Sequence, residues 1–245
     1  MITRDLHTHT TYSDGNNTPE EMVLSAIEKG LKVIGISDHS YTDFDTSYCI
    51  RKQSVEEYIK EIKSLKEKYR DKIEVLCGIE EDLYSGKPQY NFDYVIGSVH
   101  YIKLGEEYVP VDATAKDLKA AADKYFGGDI YPLIEEYYRL VSQVAEETGA
   151  DIIGHFDLIT KFKEKEILFD TKDERYIKAW QSAADKLIKA GIPFEINYGA
   201  ITRGYRTAPY PADDIREYIL NKGGSFILSS DSHHVDTIAS FKEVK

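Results

Sequence analysis

The chain has 245 residues, a formal net charge of −12 and two cysteines, Cys49 and Cys77, in no CxxC pattern. That length is enough for one large α/β domain whose core needs no disulfide staples, and the cysteine usage fits a reducing, cytoplasmic setting. The acidic balance, unrelieved by any basic stripe, argues against a nucleic-acid partner, while the absence of an apolar h-region in MITRDLHTHT and of any long apolar run argues against a signal peptide or a membrane span.

The first element is the opening run DLHTHTTYSDG at 5–15, a strand that turns at Asp14 and Gly15. Thr18-Pro-Glu-Glu21 reads as a capping box with proline at the first helical position, and Gly30 closes that helix. The apolar run VIGIS at 33–37 is the next strand. Ser54 and Glu57 form a second box pattern, followed by Val55, Tyr58, Ile59, Ile62 and Leu65 at helical spacing. The lysines of KEIKSLKEKYRDK alternate with acids and read as a solvated helix face. Strands are predicted at IEVLCGIE (73–80) and YVIGSVH (94–100). The segment 101–149 breaks the rhythm and holds more than one helix. A strand at DIIGH (151–155) follows, then a helix opened by Thr171 and Glu174 that carries Ile177, Trp180, Ala184, Leu187 and Ile188. PFEIN (193–197) is a strand, YGAITRGYRTAPYP (198–211) a long loop, 213–222 a helix, and SFILSSD (225–231) the last strand.

Alternating strands and helices imply a parallel sheet, and about seven such units favour a closed α/β barrel. All seven histidines, His7, His9, His39, His100, His155, His233 and His234, fall at or just past the C-terminal ends of predicted strands. In a parallel barrel those ends share one rim, where such folds place their chemistry. Residues two apart on a strand point the same way, so His7 and His9 can chelate one ion, and so can Asp231 and His233. Glu80 has two oxygens and can bridge two ions. This many imidazoles and carboxylates exceeds the needs of one tetrahedral zinc and suits two or three divalent ions. A nitrogen and oxygen donor set without thiolate fits zinc, manganese or iron.

The motifs DLHTHTTYSDG, GISDHS, GIEEDL, IGSVH, IGHFDL and SSDSHH occur in this order across the whole chain. They resemble the polymerase and histidinol phosphatase (PHP) superfamily, and within it the stand-alone histidinol-phosphate phosphatases. The resemblance implies a distorted (β/α)7 barrel, a single domain over 1–245, with three divalent ions at the C-terminal rim. Carried over by motif, His7, His9, Glu80 and Asp231 would hold the first ion, and Glu80, His100 and His155 the second. Asp14, His39 and His233 would hold the third, and His234 has no motif counterpart.

The expected activity is hydrolysis of a small phosphate monoester, L-histidinol phosphate of histidine biosynthesis, by attack of a metal-bound hydroxide on phosphorus in line with the leaving alkoxide. The alternative is a PHP-type phosphoesterase acting on a nucleotide, a sugar phosphate or phosphotyrosine. A degenerate, non-enzymatic PHP scaffold should have lost ligands, and no motif position is empty here. Asp38 is the candidate acid for the leaving group. Arg203 is the preferred phosphate-binding and catalytic arginine, with Arg206 second and Lys161 a weaker candidate. Glu81, with Asp82, Asp43 and Asp157, is expected to face the amine and imidazole of the substrate.

Overall fold

The computed structural model describes residues 3–241. Four parallel strands come first: β1 (Arg4–Asp5), β2 (Val33–Ile36), β3 (Glu74–Asp82) and β4 (Tyr94–Ser98). A small antiparallel hairpin, β5 (Tyr101–Leu104) and β6 (Glu107–Pro110), interrupts them. Then come β7 (Ile152–Ile153), β8 (Phe194–Asn197) and β9 (Phe226–Ser229). The main sheet runs β1-β2-β3-β4-β7-β8-β9, every neighbour parallel. Its two ends meet beyond the strands themselves. The His9 amide donates to the Ser232 carbonyl at 2.8 Å and the Ser232 amide donates to the His7 carbonyl at 3.1 Å, forming a parallel bridge between Thr8 and Ser232. The fold is therefore a distorted (β/α)7 barrel, closed at its C-terminal rim by the same backbone that carries His7 and His9.

The helices are α1 (Pro19–Glu28), α2 (Val55–Tyr69), α3 (Ala115–Phe126), α4 (Tyr131–Val141), α5 (Val144–Thr148), α6 (Glu174–Ala190), α7 (Gly199–Thr202) and α8 (Asp213–Asn221). The Thr18 capping box forms in full, with Glu21 N donating to Thr18 Oγ1 and Thr18 N donating to Glu21 Oε2. The expected Ser54 box does not. Ser54 ends a 3-10 turn in helical backbone geometry (φ −96°, ψ −4°), and its hydroxyl makes no capping bond. The third predicted cap also shifts, because Asp173 rather than Thr171 accepts from the Arg175 amide, at 2.7 Å.

Two apolar layers coat the barrel. Met22, Val23 and Ala26 of α1 with Tyr58, Ile62 and Leu65 of α2 pack on Ile34, Ile36 and Val75. A larger layer joins α3, α4, α6 and α8 to the other side through Leu133, Tyr137, Trp180, Leu187 and Ile219. Each such side chain, fully buried, stabilises the fold by roughly 1.5–3 kcal/mol before chain entropy is counted. Inside the barrel Tyr94 is the floor. Its hydroxyl donates to the Leu6 carbonyl at 2.5 Å, so the ring crosses from β4 to the β1 side. It can do so because Gly35 and Gly78 lie beneath it, where a Cβ would overlap the phenol ring. Gly78→Ala is expected to destabilise the protein by roughly 1–3 kcal/mol through overpacking. A urea denaturation midpoint equal to that of the parent chain would mean the ring has room to spare.

Candidate metal centre

Strand alternation sets the interior face of β3: Gly78 lies under Tyr94, and Glu80, two residues on, points to the same side at the rim. His7 and His9 lie just past β1, His39 past β2, His100 past β4, His155 past β7, and Asp231 and His233 past β9. The barrel thus collects onto one rim residues as far apart in the chain as His7 and His233.

Glu80 is the hub of the cluster. Its Oε2 lies 3.2 Å from His7 Nε2, 3.5 Å from His9 Nε2 and 2.9 Å from His39 Nδ1. Its Oε1 lies 3.4 Å from His100 Nε2, 3.0 Å from His155 Nε2 and 2.7 Å from Ser98 Oγ. Asp231 Oδ1 is 3.4 Å from His9 Nε2 and 3.9 Å from His7 Nε2. On the outer side Asp14 meets His233 Nε2 at 3.2 Å, His39 Nε2 at 3.7 Å and His9 Nδ1 at 3.8 Å. Three sets of donor atoms lie mutually close enough to share an ion: His9, Asp14, His39 and His233; His7, His9 and Glu80; and His39, Glu80 and His100.

The donor atoms themselves fit metal. His7 Nε2, both ring nitrogens of His9 and Glu80 Oε2 are enclosed, yet none makes a hydrogen bond within the protein. Buried polar atoms are normally satisfied, and convergent lone pairs from imidazole and carboxylate are what a divalent cation of the zinc, manganese or iron type requires. The two cysteines contribute nothing: both are buried and free, and burial pushes the Cys77 thiol up to about 12. Burial pulls His9 down to about 3, helped by His233 and His39, which keeps its nitrogens available as donors. Burial works to raise the Glu80 pKa, but His39, His7 and His100 hold it well below the usual carboxylate range.

Glu195, absent from the sequence expectations, and Asp82, expected there against the substrate, fix the orientation of these ligands. Glu195 of β8 accepts from His7 Nδ1 at 2.7 Å, with both side chains fully buried, and its other oxygen takes the His155 amide and the Asn197 side chain. Asp82 stands 3.3 Å from His100 Nδ1 and also accepts its amide. A carboxylate on the far nitrogen fixes the tautomer and the ring direction of a ligating histidine. Glu195 could have been noticed as an acid inside the apolar run PFEIN. Asp231 sits at φ 51°, a backbone region that favours glycine, and its carboxylate pairs with Arg203 Nη2 at 3.0 Å. Gly199 makes room for that pair, since a Cβ there would come within 2.5 Å of Asp231 Oδ2.

The rim opens into a cavity of about 350 Å3 lined by Asp14, His39, Glu80, His100, His155, Asp231, His233, Arg203 and Lys161, with Asp45, Asp112, Tyr48, Tyr101 and Tyr205 on its walls. Arg203 faces this space, partly exposed. Lys161 reaches it too, but its amine donates to the Asp112 carbonyl and carboxylate. Three expected substrate groups lie elsewhere. Asp38 is buried and spends its carboxylate on Thr10 and Ser13, accepting the Thr10 amide at 2.7 Å and both hydroxyls, so it braces the 10–13 turn rather than facing the cavity. Arg206 has a fully buried side chain, 3.6 Å from Asp157 and stacked 4.4 Å over the Tyr210 ring, so it ties its loop to the segment after His155. Glu81 points away from Glu80 to the outside of the barrel wall, where burial, then Asp82, pushes it up to about 8. Asp43, Asp82 and Asp157 are also absent from the lining, and Asp45 and Asp112 stand in their place.

The PHP domain profile matches residues 5–199. A Deinococcus radiodurans protein named "probable histidinol-phosphatase" is 28% identical over 243 residues, covering 94% of this chain and 85% of that one. A solved structure from Listeria monocytogenes shares the fold, with a TM-score of 0.81 at 22% identity over 96% of this chain and 97% of that one. The Lactococcus lactis histidinol phosphate phosphatase, solved with zinc, L-histidinol and phosphate, superposes with a TM-score of 0.70 at 21% identity, covering 95% and 87% of the two chains.

Glu195→Gln keeps the shape at His7 but removes the charge that fixes it. Metal affinity, measured by competition with a chelator, is expected to fall roughly 10–100-fold while the circular dichroism spectrum is unchanged. Equal affinity in the two proteins would remove Glu195 from any orienting role.

Proposed function

The chain belongs to the PHP domain family, and from that premise we propose that it is a metal-dependent phosphomonoesterase that converts L-histidinol phosphate to L-histidinol and phosphate, with residues 1–245 acting as one domain. One observation carries the reading: Glu80 is encircled by imidazoles from across the chain, at the base of a cavity that also holds Arg203. The names of the relatives and the ligands of the Lactococcus lactis protein support the choice of ester. No helix among the described residues is long and apolar enough to cross a membrane.

In this reading His7, His9, Glu80 and Asp231 hold one ion, Glu80, His100 and His155 a second, and Asp14, His39 and His233 a third. Bound divalent ions supply Lewis acidity to the phosphoryl oxygens and acidify an attacking water. The protein's own groups do the rest. Arg203 offers guanidinium N–H donors to a phosphate oxygen while Asp231 holds it at the cavity wall. Asp45, anchored by the Tyr101 hydroxyl at 2.6 Å, has no cationic partner among the described residues and faces the amine or imidazole of the alcohol. Asp112 is already neutralised by Lys161 and serves less well. Tyr48, Tyr101 and Tyr205 form walls that a planar imidazole can lie against.

Phosphate release across a panel of histidinol phosphate, nucleotides, sugar phosphates and phosphotyrosine tests the assignment. Histidinol phosphate is expected to have the highest kcat/KM, and a preference for another ester would move the protein to a different phosphoesterase role. Arg203→Ala is expected to lower kcat/KM roughly 10–100-fold with little change in Tm, the loss of one charge-assisted contact. A kcat/KM within twofold of the parent would remove Arg203 from the phosphate site. Treatment with a strong chelator is expected to abolish turnover, with recovery on adding back a divalent ion; full activity after metal is stripped would overturn the metal mechanism.

A further inference from the structure

Strand β3 turns Glu80 to the interior and the next residue, Glu81, to the outside. There Glu81 lines a second cavity of about 260 Å3, separate from the metal rim, between the barrel wall and the 83–92 loop. The carboxyl is only 4% exposed. Its hydrogen-bonding neighbour is Ser40, and no cation among the described residues pairs with it. Burying a charged carboxyl without a countercharge is unfavourable, and an ammonium group entering this cavity would supply one. Tyr41, Tyr84 and Phe92 form aromatic walls around it. The exposed Lys52 and Lys87 line the same cavity, and neither is in an ion pair; Lys52 Nζ stands 5.8 Å over the Tyr41 ring. The cavity therefore presents an enclosed carboxyl, aromatic faces and, at its open side, two unpaired ammonium groups beside the exposed Asp43.

We propose that this cavity binds a small zwitterion of the free amino-acid class. Its ammonium group sits on Glu81 and against the rings, where cations are attracted to aromatic faces. Its carboxylate turns out toward Lys52 and Lys87. A simple amine would leave the lysines unmatched, and a simple acid would bring Glu81 no countercharge. The volume admits a molecule of amino-acid size. The site involves none of the residues assigned to phosphate hydrolysis, so it stands or falls independently of that reaction.

The test is calorimetric titration of the metal-loaded full chain, with saturating inorganic phosphate occupying the metal cavity. The titrants are the free L-amino acids, each alone, with decarboxylated and deaminated analogues as controls. At least one amino acid is expected to bind one to one with Kd below about 1 mM, and about tenfold tighter than either analogue, since each control loses one charged contact. Glu81→Gln and the double variant Lys52→Ala/Lys87→Ala are each expected to weaken that binding about tenfold, with Arg203→Ala leaving it unchanged. Should Glu81→Gln not fold, the lysine double variant decides the matter, because it alters only exposed side chains. The proposal is overturned if no amino acid binds, or if binding is indifferent to the lysine double variant.

Discussion

A carboxylate enclosed by five imidazoles is the constraint on which this molecule is built. Glu80 lies within 3.5 Å of nitrogens from His7, His9, His39, His100 and His155, delivered by the ends of four different strands. Without partners a charge buried this deeply would cost several kcal/mol, a large fraction of a domain's net stability. The surrounding imidazoles would repel one another if all were protonated, with neighbouring ring centres 4.4–5.1 Å apart. Divalent ions resolve both problems, with the imidazoles neutral and the carboxylate charged. Metal ions would take over from protonated imidazoles the role of countercharge to Glu80, so metal binding should be coupled to the stability of the barrel mouth.

The rest of the architecture serves that cluster. Closure between Thr8 and Ser232 places the His7–His9 segment beside the Asp231–His233 segment, joining the two ends of the chain into one ligand set. The floor beneath is apolar, filled by Tyr94 with Leu6, Ile96 and Ile152, and separates the polar rim from the lower barrel. Glu195 shows how far the design extends below the ligands: one carboxylate grips His7 with one oxygen and the His155 backbone with the other. It thereby ties together two residues whose far sides both approach Glu80.

Much of this was legible in the sequence, and the parts that were not share a physical reason. Strand positions could be read because buried parallel strands are short β-branched runs, and the histidines could be grouped because parallel strands must place their C-terminal ends on one rim. The hairpin β5–β6 was not read, since YIKL and EYVP are half-exposed and lack a continuous apolar run. Side-chain direction off the strands was harder. Arg203 and Arg206 are three residues apart in one loop and look alike in sequence. In space the short helix α7 keeps Arg203 beside Asp231, while the chain beyond it turns Arg206 inward onto Asp157 and Tyr210. Asp38 was misread for a related reason. Adjacency to His39 says nothing about facing the same way, and its carboxylate is consumed by the backbone and hydroxyls of the 10–13 turn.

The clearest case of direction deciding role is the pair Glu80 and Glu81. Both are buried acids on one strand, one residue apart, with the same chemistry available to them. Alternation sends the first into a ring of imidazoles that lowers its pKa, and the second into an aromatic-walled space where burial raises it. Opposite pKa shifts on neighbouring residues follow from a strand period of two. The metal rim and the outer cavity are consequently two faces of one strand. Ser40 bridges them, its amide donating to the Glu80 carbonyl at 2.8 Å and its hydroxyl accepting from the Asp82 amide at 3.2 Å. A change in packing around Glu81 must therefore be borne by the same backbone that positions Glu80 and, through Asp82, His100.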